Sequence, residues 1–280
     1  MTMLPSLNLS TLHQPAAQLV EFLGSQQAQS LLNAPIIDTV KFSGNDPLKG
    51  IKYDELQEFR GLLAKPFEEV LNIAATMLSQ DFADKRQAVV NDAKAHIEVL
   101  LSQNPKGNPA IAMDIDETIV NNVAEFLKKM LPSQDGGGLV HMKWMKEGNA
   151  PAIAETLEFF NWLKEVEWVD STGEERKGIP VFFVTARKDE VKLFGSDEVM
   201  DLRASTIKNL ERLGIEKDDY PELYMKPHDD EAMKKSGDFK EWAYNDIESK
   251  DYDLIMVMGD QDSDFQGFNG YRAQLPNPMY

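Results

Sequence analysis

The spacing of apolar residues changes once along the chain, near residue 104. From Tyr53 to that point it is helical. Pro66 suits a first helical position, and Phe67, Val70, Leu71, Ala74 and Leu78 then fall three and four apart on one face. Val90, Ala93, Ile97, Leu100 and Leu101 repeat the stripe and predict a helix of about five turns. The run Asn104-Pro105-Lys106-Gly107-Asn108-Pro109 stops it. Beyond the stop come four short runs that are apolar throughout: Ala110–Met113, Val181–Val184, Leu223–Met225 and Leu254–Met258. Unbroken apolar runs of this length are the pattern of parallel strands covered on both faces. Between them, Ile153, Leu157, Phe160 and Leu163 mark one helical stripe, and Leu202, Ile207, Leu210 and Leu213 mark another. The expected architecture is α/β, with a parallel sheet between helices and a helical N-terminal extension. The predicted division sets a mainly helical region, residues 1–104, against a core of residues 105–280. Residues 1–50, with scattered proline and glycine and weak periodicity, read as a loosely helical or irregular arm.

Composition narrows the functions available. At 280 residues, 42% hydrophobic and 27% charged, the chain is globular rather than disordered or collagen-like. Its 29 basic residues stand against 47 acidic ones, a net charge of -18, and such a surface repels a nucleic-acid backbone. There is no cysteine, which excludes disulfide scaffolds, thiolate metal sites and cysteine nucleophiles. No stretch of about 18 apolar residues occurs, so no membrane-spanning helix is predicted. No lysine or arginine precedes the first apolar residues, and Pro5 and Pro15 interrupt them. That is not the pattern of a secretory signal, and the expected location is cytoplasmic.

The candidate chemistry lies immediately after three of the four apolar runs. The first leads into Asp114-Ile-Asp116-Glu-Thr118, the second into Thr185-Ala-Arg187-Lys188-Asp189, and the fourth into Gly259-Asp260-Gln-Asp262-Ser-Asp264. Ligands of parallel α/β sheets bind beyond the carboxyl ends of the strands, so these clusters should converge and bring about five carboxylates into one pocket. Carboxylates that close repel one another unless a cation neutralises them. A donor set of oxygens alone calls for a hard ion such as magnesium. Asp238-Phe-Lys240-Glu241 reads as a capping box that puts Lys240 in a first helical turn, where the helix dipole disfavours a cation unless an anion is held there. Lys226, at the end of the third run, is a second candidate for the same role.

AMDIDETIV resembles the nucleophile motif of the haloacid dehalogenase (HAD) superfamily. VFFVTARKD, the Lys240 helix and MGDQDSDF resemble its second, third and fourth motifs, in the same order. More narrowly, DIDET, VTARKD, GDQDSDF and the terminal LPNPMY resemble subfamily IIIB, the class C four-aspartate acid phosphatases, a group that includes plant vegetative storage proteins. The similarity spans residues 108–280 and extends more weakly to about residue 60. It implies a HAD-like Rossmannoid three-layer α/β/α fold with a minimal cap, and magnesium-dependent hydrolysis of a phosphomonoester. Asp114 would be the nucleophile, forming an aspartyl-phosphate, and Asp116 the general acid and base. The Asp114 carboxylate, the Asp116 backbone carbonyl and Asp260 would hold magnesium, with Asp264 as a further ligand or an orienter of bound waters. Thr185 and Lys240 would hold the phosphoryl oxygens. The resemblance also favours Lys240 over Lys226, because the motif-three lysine of the family precedes a helix and a short loop that leads directly to the GD motif.

Residues 121–149 are only 29 in number and include Gly136-Gly137-Gly138, so they predict an open mouth rather than a large lid. The rim candidates are Trp144, His141 and, by resemblance, Tyr280; aromatic faces there would favour nucleoside monophosphates or aryl phosphates as substrates. A phosphotransferase or phosphomutase sharing the intermediate, and a binding or reserve protein on the same scaffold, are the alternative functions. The aspartate at 114 and the acid at 116 speak for an enzyme. An EF-hand is excluded, because Phe265 and Tyr271 stand at the sixth and twelfth positions of the only candidate loop. His13, His96, His141 and His228 have no mutual metal spacing.

Overall fold

A computed structural model describes residues 73–279, apart from 124, 126–143, 193–198, 228–232 and 234. Helix α1 (Gln80–Leu101) is followed by β1 (Pro109–Met113), α2 (Ala154–Glu165), a hairpin of β2 (Glu167–Val169) and β3 (Glu175–Lys177), and β4 (Val181–Lys188). A second two-stranded ribbon, β5 (Glu190–Lys192) and β6 (Val199–Asp201), precedes α3 (Leu202–Arg212). Then come β7 (Leu223–Lys226), α4 (Ser236–Ser249), β8 (Asp253–Gly259) and β9 (Tyr271–Gln274). The central sheet is parallel throughout, in the order β7-β4-β1-β8-β9. Among the described residues, the four predicted strands, β1, β4, β7 and β8, make up all of it except the edge strand β9.

Strand alternation divides the core into two layers. Ile111, Met113, Val181 and Phe183 face α1, α2 and α3, together with Val90, Ile97, Phe160, Leu163 and Leu210. Ala110, Ala112, Phe182 and Val184 face the other way, against Phe239, Ala243, Tyr244 and Ile247 of α4. This is the expected three-layer arrangement. Among the described helices none is long and apolar enough to cross a membrane.

Helix α1 begins at an N-cap, Ser79, whose side chain accepts from the Phe82 N–H at 3.2 Å. Its stripe of Val90, Ala93, Ile97 and Leu101 is buried as the spacing predicts. Arg86 reaches Glu155 of α2 at 3.1 Å in a largely buried pair, and the His96 ring stacks on Tyr271 of the edge strand β9 at 4.1 Å. The helix therefore covers one flank of the sheet. Because Ile97 is fully buried in this contact, Ile97→Ala is expected to destabilise the protein by about 2–5 kcal/mol, read as a lowered Tm. An unchanged Tm would mean that α1 is not docked in solution. Residues 1–72, and with them the predicted arm and most of the first helical stripe, lie outside the described residues.

Candidate active site

The chain order reverses around β1, which lies between β4 on one side and β8 on the other, and the crevice beyond their carboxyl ends is where such sheets bind ligands. Asp114 follows β1 directly and its backbone N–H donates to the Met258 carbonyl of β8 at 2.9 Å. Met113 is level with Phe183 of β4 and Met258 of β8, so Thr185 and Asp260 both lie just past the level of Asp114. The three strand ends converge as expected. After Asp114 the chain closes a tight turn in which the N–H groups of Thr118, Ile119 and Val120 all donate to the Ile115 carbonyl, and Glu117 takes φ of 52°.

Carboxylate oxygens of Asp114, Asp260 and Asp264 lie within 4.8 Å of one another, and all three residues are buried. Lys240 Nζ stands among them, donating to Asp114 Oδ1 at 2.6 Å and Asp264 Oδ1 at 2.5 Å, with its side chain almost wholly buried. Asp264 is also tied to the backbone, since its Oδ2 accepts from the N–H groups of Asp260 at 2.9 Å and Gln261 at 3.0 Å. This approach requires glycine at 259: a Cβ there would lie 2.6 Å from the Asp264 Cβ. Asp260 accepts from Asn277 Nδ2 at 2.5 Å and, over 3.4 Å, from the Thr118 hydroxyl.

Asp116 is held differently. Its carboxylate accepts a two-pronged contact from the buried Arg187, Nε to Oδ2 at 2.7 Å and Nη2 to Oδ1 at 2.6 Å, and a third hydrogen bond from Asn122 Nδ2 at 2.6 Å. The Thr185 hydroxyl, buried on β4, accepts from the Arg187 backbone N–H at 3.2 Å. From the sequence, Arg187 has a place in its motif but no role, and Asn122, Glu117 and Asn277 have none either. The one signal for Asn277 is the terminal PNPMY; nothing in the sequence distinguishes Arg187 from the neighbouring Lys188.

The electrostatics call for a cation. Among the described residues, the five carboxylates of Asp114, Asp116, Glu117, Asp260 and Asp264 meet the two cations Lys240 and Arg187, so acidic groups outnumber basic ones at the strand ends. Burial pushes the Asp114 carboxyl well above its ordinary range; Lys240 works against the shift, and Asp264, Asp260 and Asp116 add to it. Burial, then Asp116 and Asp260, raises Glu117 likewise. Asp260 is pushed up to about 7 by burial and by Asp264. For Lys240, burial opposes the charge, but Asp114 and Asp264 outweigh it and keep the ammonium protonated beyond the usual lysine range. Carboxyls raised in this way, with only oxygen donors at mutual ligand distances, fit a hard divalent cation.

One local expectation is corrected. Helix α4 begins at Ser236 with Lys235 as its N-cap, not at Asp238, so Asp238 and Glu241 form no capping box and Lys240 lies in the second turn rather than the first. Lys240 reaches the carboxylates because it falls on the face of α4 that carries Phe239, Ala243 and Tyr244 into the core. Trp144 is half-buried against the core and its indole N–H donates to Asn122 Oδ1 at 3.0 Å. His141, Tyr280 and the glycine run 136–138 lie outside the described residues. Beside Asp260 opens a cavity of about 710 Å³, walled by Gln261, Gln274 and Asn277 and, from helix α1, by Lys85 and Val89.

The family model of the HAD superfamily, subfamily IIIB (acid phosphatase), matches residues 55–280. A stem 28 kDa glycoprotein of Glycine max is 25% identical over 185 residues, covering 64% of this chain and 62% of the relative. A stem 31 kDa glycoprotein of the same plant is 25% identical over 183 residues, covering 64% and 53%. The chain thus spans less than two thirds of the length of the curated relatives it matches. In structure it is similar to the class C acid phosphatase from Bacillus anthracis, with a TM-score of 0.57 at 18% identity, covering 76% of this chain and 85% of that one. The same enzyme with tungstate bound gives a TM-score of 0.55 at 17% identity. At these identities the likeness is one of fold.

Proposed function

This chain belongs to subfamily IIIB of the HAD superfamily, the acid phosphatases, and from that membership we propose that it is a magnesium-dependent phosphomonoesterase acting through a phosphoryl group on Asp114. The observation that carries the proposal is the meeting of Asp114, Asp260, Asp264 and Lys240 in one buried cluster beyond the strand ends.

In the first half of the reaction an Asp114 carboxylate oxygen attacks phosphorus and the ester P–O bond breaks. The departing alkoxide takes its proton from Asp116. In the second half Asp116, now a carboxylate, removes a proton from water, whose oxygen attacks the same phosphorus. The bond from phosphorus to Asp114 breaks, releasing inorganic phosphate and restoring the carboxylate. Lys240 offsets charge on the nucleophile and on the phosphoryl oxygens, and the Thr185 hydroxyl lies at the level where it can donate to one of them. Asp114, Asp260 and the Asp116 carbonyl would hold magnesium, which when bound supplies a Lewis acid that neutralises the carboxylates and polarises the phosphoryl group; Asp264 orients Asp260 through its backbone N–H.

The substrates proposed are small phosphomonoesters, the class that membership of the acid phosphatases implies, with nucleoside monophosphates and aryl phosphates among them. Purified protein supplied with magnesium is expected to release phosphate from p-nitrophenyl phosphate and from a panel of nucleotides and sugar phosphates, and to leave a phosphodiester intact. Absence of release from every monoester would exclude the proposal.

A further inference from the structure

We propose that Arg187, Asn122 and Trp144 form a clamp that fixes the orientation of the Asp116 carboxylate, with Trp144 serving as a positioning residue and not as a wall for the leaving group. The inference rests on the proton-transfer role given to Asp116 above.

The clamp has two jaws. On one side the planar guanidinium of Arg187 meets both carboxylate oxygens, at 2.7 and 2.6 Å, and so fixes the plane of the carboxylate as a single-point contact could not. Arg187 is itself buried and anchored through Nη1 to the Thr206 hydroxyl of α3 at 3.3 Å. On the other side stands Asn122. Its backbone N–H donates to Glu117 Oε1 at 3.0 Å and its Nδ2 donates to Asp116 Oδ1 at 2.6 Å.

A carboxamide can turn over, exchanging its oxygen and nitrogen in almost the same space. Turned over here, Asn122 would set its own carbonyl oxygen against the Asp116 carboxylate. The indole N–H of Trp144 prevents this, because it can only donate and therefore needs the Asn122 oxygen on its own side, where it lies at 3.0 Å. Trp144 thus dictates that the amide presents N–H groups to Asp116. Its ring packs against the core while its one polar atom is spent on Asn122. Residues 144–147 form a helical turn, so the clamp ties the chain between the first two motifs to the group that moves the proton.

The test uses leaving groups of unequal basicity. Glycerol phosphate expels an alkoxide that needs a proton, whereas p-nitrophenolate departs without one, so misplacing the donor harms the first substrate more. Trp144→Phe keeps a ring and removes the N–H; Arg187→Lys keeps the charge and removes the fork. In each variant kcat/KM for glycerol phosphate is expected to fall about tenfold more than kcat/KM for p-nitrophenyl phosphate. In an Asp116→Asn background Trp144→Phe is expected to add nothing to that ratio. Equal losses on the two substrates in both variants, or a greater loss on the aromatic one, would overturn the clamp. If Asp116→Asn itself loses equally on both, the role given to Asp116 fails, and the clamp falls with it.

Discussion

Asp114→Asn is expected to lower phosphate release by at least about 10³-fold while leaving Tm unchanged or raised. A carboxamide fills the same space but cannot attack phosphorus, so the loss belongs to chemistry rather than to folding. The stability half of the expectation comes from the environment of the native residue. Burial pushes the Asp114 carboxyl up, and Asp264, Asp260 and Asp116 add to the shift, so its charge is costly in the metal-free protein. A neutral amide escapes that cost, though it weakens the contact with Lys240. Activity and stability should therefore part in this variant. Retention of more than about a tenth of the wild-type rate, on the scale expected for loss of a nucleophile, would remove Asp114 from that role.

Burial decides which elements are legible in the sequence. Strands β1, β4, β7 and β8 are covered on both faces and read as unbroken apolar runs, which is why the runs and the strands begin within a residue or so of one another. The edge strand β9, Tyr-Arg-Ala-Gln, buries only Ala273 fully, and the exposed ribbons Glu-Trp-Val and Glu-Arg-Lys bury nothing fully, so none carries a strand signal strong enough to read. Helix α4 starts earlier than its sequence suggests. Its N-cap Lys235 makes no side-chain cap hydrogen bond and its second residue is Gly237, so the true start lacks the usual markers while Asp238 imitates one. At the site, the convergence of the strand ends is predictable because topology alone brings them together. Pairings between them are not: Arg187 to Asp116 is a contact across 71 residues, decided by side-chain directions that no spacing rule encodes.

Removal of divalent metal is expected to abolish activity, and magnesium to restore it, with the difference in stability between the two states growing as pH rises. Neutralisation of phosphoryl charge by a bound cation accounts for several kcal/mol of the barrier, so chelation should lower the rate by about 10²-fold or more. The pH dependence comes from the same carboxyls. Asp260 moves from 3.8 unfolded to about 7 in the folded, metal-free protein, through burial and the nearby Asp264. A folded-state pKa above the unfolded one means that the folded protein binds the proton more tightly. That contribution to stability is fully present below about pH 4 and is lost as pH rises through about 7. Asp114 and Glu117 are shifted in the same direction, so they add to the loss. Lys240 does not offset it, since its ammonium stays charged through this range. Metal competes with protons for these oxygens and cannot bind them in the unfolded chain as one set. The increase in Tm on adding magnesium should therefore be small at about pH 5 and larger at about pH 8, while the metal-free Tm falls between them. Thermal melts at the two pH values, each with EDTA and with magnesium, measure all four quantities. Activity that survives prolonged EDTA would exclude the metal, and a magnesium effect equal at both pH values would show that the buried carboxyls are not its ligands.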